Sequence, residues 1–102
     1  MATVLNADEV KTALASLAGW SYDGQALVRR IEVPADSHPG LLESVGNVAD
    51  ELDHHPVIGH DGDVLLFRLW THSAGGVTTK DVELAARMDQ ILSGSARDSG
   101  TG

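Results

Sequence analysis

Two histidines stand side by side in Glu51-Leu52-Asp53-His54-His55-Pro56, and a third follows in Trp70-Thr71-His72. An imidazole titrates near pH ~6.5, so it takes and gives protons at neutral pH. Such groups on two different elements suit a reaction in which one atom loses a proton and another expels water. Two other readings fit the same residues. A histidine at a helix C-terminus meets the negative end of the dipole and acts as a cap. His54, His55, His60 and Asp61 also make an imidazole and carboxylate set of the kind zinc takes. Adjacent histidines rarely converge on one ion, however, and no His-x-x-x-His spacing puts two on one helical face. No metal is expected. Asp81 has a plain structural reading, because Thr78-Thr79-Lys80-Asp81 has the form of a capping box.

The elements that must position these residues follow from periodicity. Val10, Ala13, Leu14 and Leu17 share one face of a helix over Asn6 to Leu17, with Asn6 as cap and Glu9 as its partner. Trp20 to Tyr22 and Ala26 to Val33 read as strands about Asp23-Gly24, which suits a type I′ turn. Leu27, Ile31 and Val33 lie on one face, which Arg29 interrupts. After a Ser37 cap and Pro39 in the first turn, Leu41, Leu42, Val45, Val48, Ala49 and Leu52 keep helical period until Pro56 stops the helix. His54 and His55 therefore fall at its C-terminal end.

Val57-Ile58 begins a strand, Asp61-Gly62 is a second turn, and Val64 to His72 is a strand. Leu65, Phe67 and Leu69 take one face of it; Val64, Leu66, Trp70 and His72 take the other. Thr78 caps a last helix whose buried stripe is Leu84, Ala85, Met88, Ile91 and Leu92. Residues 1–92 read as a single domain and 93–102 as a disordered polar tail. The order αββαββα predicts an α+β fold: a four-stranded antiparallel sheet with three helices packed on one face.

Composition sets outer bounds. A chain of 102 residues with 42% apolar residues suits one domain with one core. With no cysteine, thiolate catalysis and disulfides are excluded. A formal charge of −8 repels phosphates and anionic lipid heads, so neither nucleic acid nor membrane is an expected partner. No apolar run nears the ~20 residues that span a bilayer. The first residues lack the pattern of a signal peptide, and a cytoplasmic location is expected.

The joint spacing of the reactive residues resembles the pterin-4a-carbinolamine dehydratase family. The matching residues are Asp50, four before His54-His55-Pro56, then Thr71-His72, then Asp81, nine after His72. Gly19-Trp20, Gly75-Gly76-Val77-Thr78 and Asp81-Val82-Glu83-Leu84-Ala85 extend the match, which runs from about Asn6 to Leu92. The resemblance implies the αββαββα fold and the dehydration of 4a-hydroxytetrahydropterins to quinonoid dihydropterins, which regenerates the cofactor of aromatic amino acid hydroxylases. It implies no metal or organic cofactor, a small pterin substrate, and a homodimer or homotetramer.

By the same resemblance His54 and His72 form the acid–base pair and His55 binds and orients the pterin. Asp50 fixes a histidine tautomer, with Asp81 as a further supporting carboxylate. Asp53, Trp70, Thr71 and Ser73 line the pterin, partly through backbone groups. The segment from Val57 to Asp63 contains none of the aromatic residues that relatives usually carry there. Dehydratase-like domains also act as dimerisation or assembly modules. Such a module has no need of three titratable histidines, so their retention here favours the enzyme.

Overall fold

Asn6 opens the fold with two reciprocal bonds: its Oδ1 accepts the Glu9 N–H, and its own N–H donates to Glu9 Oε1, each at 2.8 Å. The box launches α1 (Ala7–Leu14). The computed structural model describes residues 3–101, with side chains through Leu92. The further elements are β1 (Trp20–Tyr22), β2 (Leu27–Glu32), a 3-10 turn at Ala35–Ser37, α2 (His38–Leu52), β3 (Val57–Asp61), β4 (Val64–Leu69) and α3 (Thr79–Thr101).

The strands form one antiparallel sheet in the order β1-β2-β4-β3. The α2 crossover thus brings the last hairpin back beside β2. Strand alternation gives the sheet two unlike faces. Leu27, Ile31, Leu65, Phe67 and Leu69 are buried on one of them, in a single core with Val10 of α1, Leu41 and Val45 of α2, and Leu84, Met88 and Leu92 of α3. The other face carries Arg30, Val57, Gly59, Val64 and Leu66, and Val57 and Leu66 are exposed. The predicted α+β architecture, with three helices on one face of a four-stranded sheet, is the one observed.

The departures are local. α1 stops at Leu14, although Leu17 is buried. The β1–β2 connection is not a two-residue turn, because Tyr22 pairs with Leu27. Asp23 Oδ1 instead accepts the N–H groups of Gln25 (2.9 Å) and Ala26 (2.8 Å), a side-chain turn of the kind aspartate favours. Asp61 pairs with Val64, so the second turn is Gly62-Asp63, one residue later than expected. Ser37 occupies the N-cap of α2 without a side-chain bond, since the preceding 3-10 turn already holds it in a helical conformation. Val48 is half-buried at the edge of the core.

Past Leu92 the backbone continues as α3 to Thr101. The expected long last strand ends at Leu69. Thr71 pairs only with Gly76, in an isolated bridge, and its C=O accepts the N–H groups of Ala74 (3.0 Å) and Gly75 (2.9 Å). These bonds curl the chain into a turn that carries His72 away from the ladder.

Candidate active site

Helix α2 ends at Asp53, which adopts a left-handed conformation with φ 51° and ψ 46°. It is the only non-glycine residue with positive φ among the described residues. Aspartate tolerates this region better than branched residues do. The reversal lets the His54 N–H reach back to Ala49 C=O at 2.9 Å, the six-to-one bond of a Schellman ending. The helix is thus closed by backbone, and the His54 side chain turns toward the start of α3.

There, His54 Nε2 is hydrogen-bonded to Asp81 Oδ1. The side chains are 12% and 0% exposed, respectively. Asp81 sits in the first turn of α3, where the free N–H groups of a helix favour a carboxylate. Its Oδ2 accepts the Thr71 hydroxyl at 2.8 Å and the Thr78 N–H at 2.9 Å. Thr71 and Thr78 hydroxyls lie 2.8 Å apart, and Thr78 Oγ1 also accepts the Lys80 N–H at 3.3 Å. Half of the expected capping box therefore forms: the Asp81 carboxylate accepts the Thr78 N–H, whereas Thr78 Oγ1 accepts from the Lys80 N–H and not from that of Asp81, and the same carboxylate serves His54 as well. The C-terminus of α2, the exit of β4 and the N-terminus of α3 meet at this one carboxylate.

His55 follows a different course. Its Nε2 lies 2.7 Å from Asp50 Oδ1, with side chains 60% and 73% exposed. Asp50 therefore partners His55, and Asp81 partners His54. Arg87 of α3 donates to Glu51 of α2 at 2.9 Å and ties the two helices together beside these pairs.

His72 is exposed on the turn after β4. Its ring packs on Trp70, with centroids 4.5 Å apart at 46°. The shared face read from alternation thus persists in the contact, although the ladder has ended. Arg68 lies 5.1 Å from the Trp70 ring centroid and donates to Asp23 Oδ2 at 2.6 Å. A row Asp23–Arg68–Trp70–His72 results. The N–H groups of Ala26 and Gln25, with the Arg68 guanidinium, hold the Asp23 carboxyl at about 2. Ser73 is exposed beside His72, and Asp53 is exposed at the helix end. Thr71 is buried, and its hydroxyl, N–H and C=O are all engaged within the protein.

An open hollow of about 330 Å³ lies elsewhere, on the helix-free face of the sheet, lined by Arg30, Gly59, His60, Asp61, Val64 and Leu66. His60, which lines this hollow, neighbours His38, at 5.5 Å between ring centroids. Among the described residues no three His, Asp or Glu side chains are grouped as metal ligands.

Sequence reasoning overlooked His38. It is buried at the start of α2, and its Nε2 reaches Val33 C=O (3.0 Å) and Asp63 C=O (3.3 Å). It pins the helix start to the β3–β4 turn. Nothing in the string around His38 signals this, because Asp63 lies 25 residues away.

On this αββαββα layer a helix-end histidine is held on a buried aspartate, and an exposed histidine stands on the turn after β4. Comparison with known proteins gives the family. The family profile described as pterin 4 alpha carbinolamine dehydratase matches residues 3–91, and the chain belongs to this family. A provisionally named pterin-4-alpha-carbinolamine dehydratase of Mycolicibacterium smegmatis is 40% identical over 91 residues, covering 88% of this chain and 97% of the relative. One from Roseiflexus castenholzii is 37% identical over 95 residues, covering 90% and 100%. The crystal structure of a transcriptional coactivator/pterin dehydratase from Brucella melitensis is similar, with TM-score 0.81 and 32% identity over 87% of this chain and 98% of that one.

Proposed function

We propose that the chain dehydrates a 4a-hydroxytetrahydropterin to the quinonoid dihydropterin by histidine acid–base catalysis. The observation that carries this reading is the His54–Asp81 pair, a titratable ring held by a buried carboxylate. In the reaction a proton passes to the 4a-hydroxyl, the C4a–O bond breaks, water leaves, and the ring gives up an N–H proton. His54 and His72 carry these two transfers, each worth about 10²–10⁴-fold. His55, steadied by Asp50, orients the pterin. Trp70, backed by Arg68, offers a flat wall next to His72. Asp53 and Ser73 line the approach, and Thr71 contributes from beneath it.

In this reading the protein acts in the cytoplasm, recycles the tetrahydropterin of an aromatic amino acid hydroxylase, and needs no added cofactor. It self-associates through the exposed edge of β3, where Val57 is 49% exposed. No helix among the described residues is long and apolar enough to cross a membrane. The direct test is a dehydratase assay on the purified protein and on His72→Ala. Turnover that collapses in the variant supports the reading; a wild type inert toward every 4a-hydroxypterin sinks it. The Brucella relative's description as a transcriptional coactivator favours a second reading, a protein-binding module. That reading gains if the protein is inert as an enzyme and still binds a protein partner.

A further inference from the structure

Asp81 has two oxygens with separate duties: Oδ1 meets His54, and Oδ2 collects donors from Thr71 and Thr78. The sense of that donor set follows from proton counting. A threonine hydroxyl has one hydrogen to donate, and a carboxylate has none. With Thr71 donating to Asp81, the 2.8 Å contact between the two hydroxyls needs its hydrogen from Thr78. Thr78 Oγ1 is in turn free to accept the Lys80 N–H. The row runs one way, from a backbone N–H at the start of α3, through Thr78 and Thr71, to Asp81. The alternative Thr78 to Oδ2 contact is longer, at 3.4 Å.

The row saturates Oδ2 and turns Oδ1 to the ring of His54. An ionised Asp81 only accepts, so His54 Nε2 must carry the hydrogen. A neutral imidazole has one N–H, and its Nδ1 is then a lone pair. We propose that Thr71 and Thr78 are positioning residues: through Asp81 they hold His54 in the Nε2–H tautomer and leave Nδ1 as the nitrogen that exchanges a proton with the pterin. The last step rests on the proposed dehydratase reading; the tautomer does not. Thr71 also ties the two histidines in space. Its hydroxyl anchors Asp81 beneath His54, and its backbone bonds to Ala74, Gly75 and Gly76 shape the turn that bears His72.

The experiment uses the full chain labelled with ¹⁵N. Two-bond ¹H–¹⁵N spectra above the histidine titration range report which nitrogen of His54 is protonated, and turnover is measured against pH on the same samples. The wild type should show the Nε2–H form. Thr71→Val, which keeps the shape and loses the hydroxyl, should give a mixed tautomer. Its kcat should fall by about tenfold or more, the order found for outer partners of metal-bound histidines, with a displaced pH profile. Thr71→Ser should restore all three. If Thr71→Val does not fold, Thr78→Val and the wild-type spectrum decide the matter. An Nδ1–H ring in the wild type overturns the proposal. So does a valine variant that loses melting temperature while its tautomer and pH profile stay unchanged. An Nε2–H wild type without dehydratase activity supports the tautomer assignment and removes the pterin reading.

Discussion

Asp81 holds the ring of His54 across 27 residues of sequence, with no exposure of its own side chain. The neighbouring His55 is paired with Asp50 in solvent. Two adjacent histidines therefore stand in opposite environments. A ring held on a buried carboxylate suits proton transfer, and a ring in water suits contact with an incoming ligand.

The proposed roles, proton transfer for His54 and His72 and orientation of the pterin for His55, predict unequal damage. His54→Ala and His72→Ala should chiefly lower kcat, and His55→Ala should chiefly raise KM, since orientation is shared by ground and transition states. Stability should separate them as well. His54→Ala strips a buried acceptor of its partner and should cost about 1–3 kcal/mol. The exposed His55–Asp50 pair should be worth at most about 1 kcal/mol. Steady-state kinetics and urea midpoints on the three variants check both parts. Equal loss of kcat in all three would remove the division of roles.

Gly19 should not tolerate a side chain. Its φ is +87°, and a Cβ there would lie 1.4 Å from Arg29 Nη1. That guanidinium donates to Ala18 C=O at 2.7 Å and neighbours Asp89 at 3.9 Å. Gly19→Ala must therefore strain the backbone and displace Arg29, at a cost of about 1–3 kcal/mol. An unchanged urea midpoint would refute this.

Asp23 should mark the acid limb of stability. Its folded pKa, about 2, lies below the unfolded value, so the native state binds this proton less tightly. Its contribution is complete above about pH 4 and is lost as pH falls toward 2. Asp23→Asn keeps the acceptor for Gln25 and Ala26 and removes the charge facing Arg68. Its melting temperature should therefore fall less between pH 4 and 2 than the wild type's. Parallel curves would show that Asp23 contributes nothing there.

Val45 and Val48 should part company. Val45 is 1% exposed in the core, and Val48 is half-buried at its margin. Val45→Ala should cost about 2 kcal/mol through lost burial and a residual cavity, and Val48→Ala less than about 1 kcal/mol. Similar denaturation midpoints for the two variants would mean that α2 is rotated about its axis.

The sequence by itself determined the periodic part of this protein. Leu65, Phe67 and Leu69 had to share a face, and Val45 and Ala49 had to face inward, because side-chain direction in strands and helices depends only on local spacing. The Asn6–Glu9 box was legible, and so was the Asp81 carboxylate on the Thr78 N–H, each within a single turn. His54, His55 and His72 could be named as candidates too, since their spacing along the chain resembles a family pattern. What only the tertiary structure decided is which groups answer one another across elements. It assigned Asp81 to His54 and Asp50 to His55, engaged all of Thr71's polar groups within the protein, curled Trp70 to His72 off the ladder, and buried His38 against carbonyls from two loops. The physical reason is that a hydrogen bond needs placement to a few tenths of an ångström. Packing of whole elements supplies that placement, and no local periodicity encodes it.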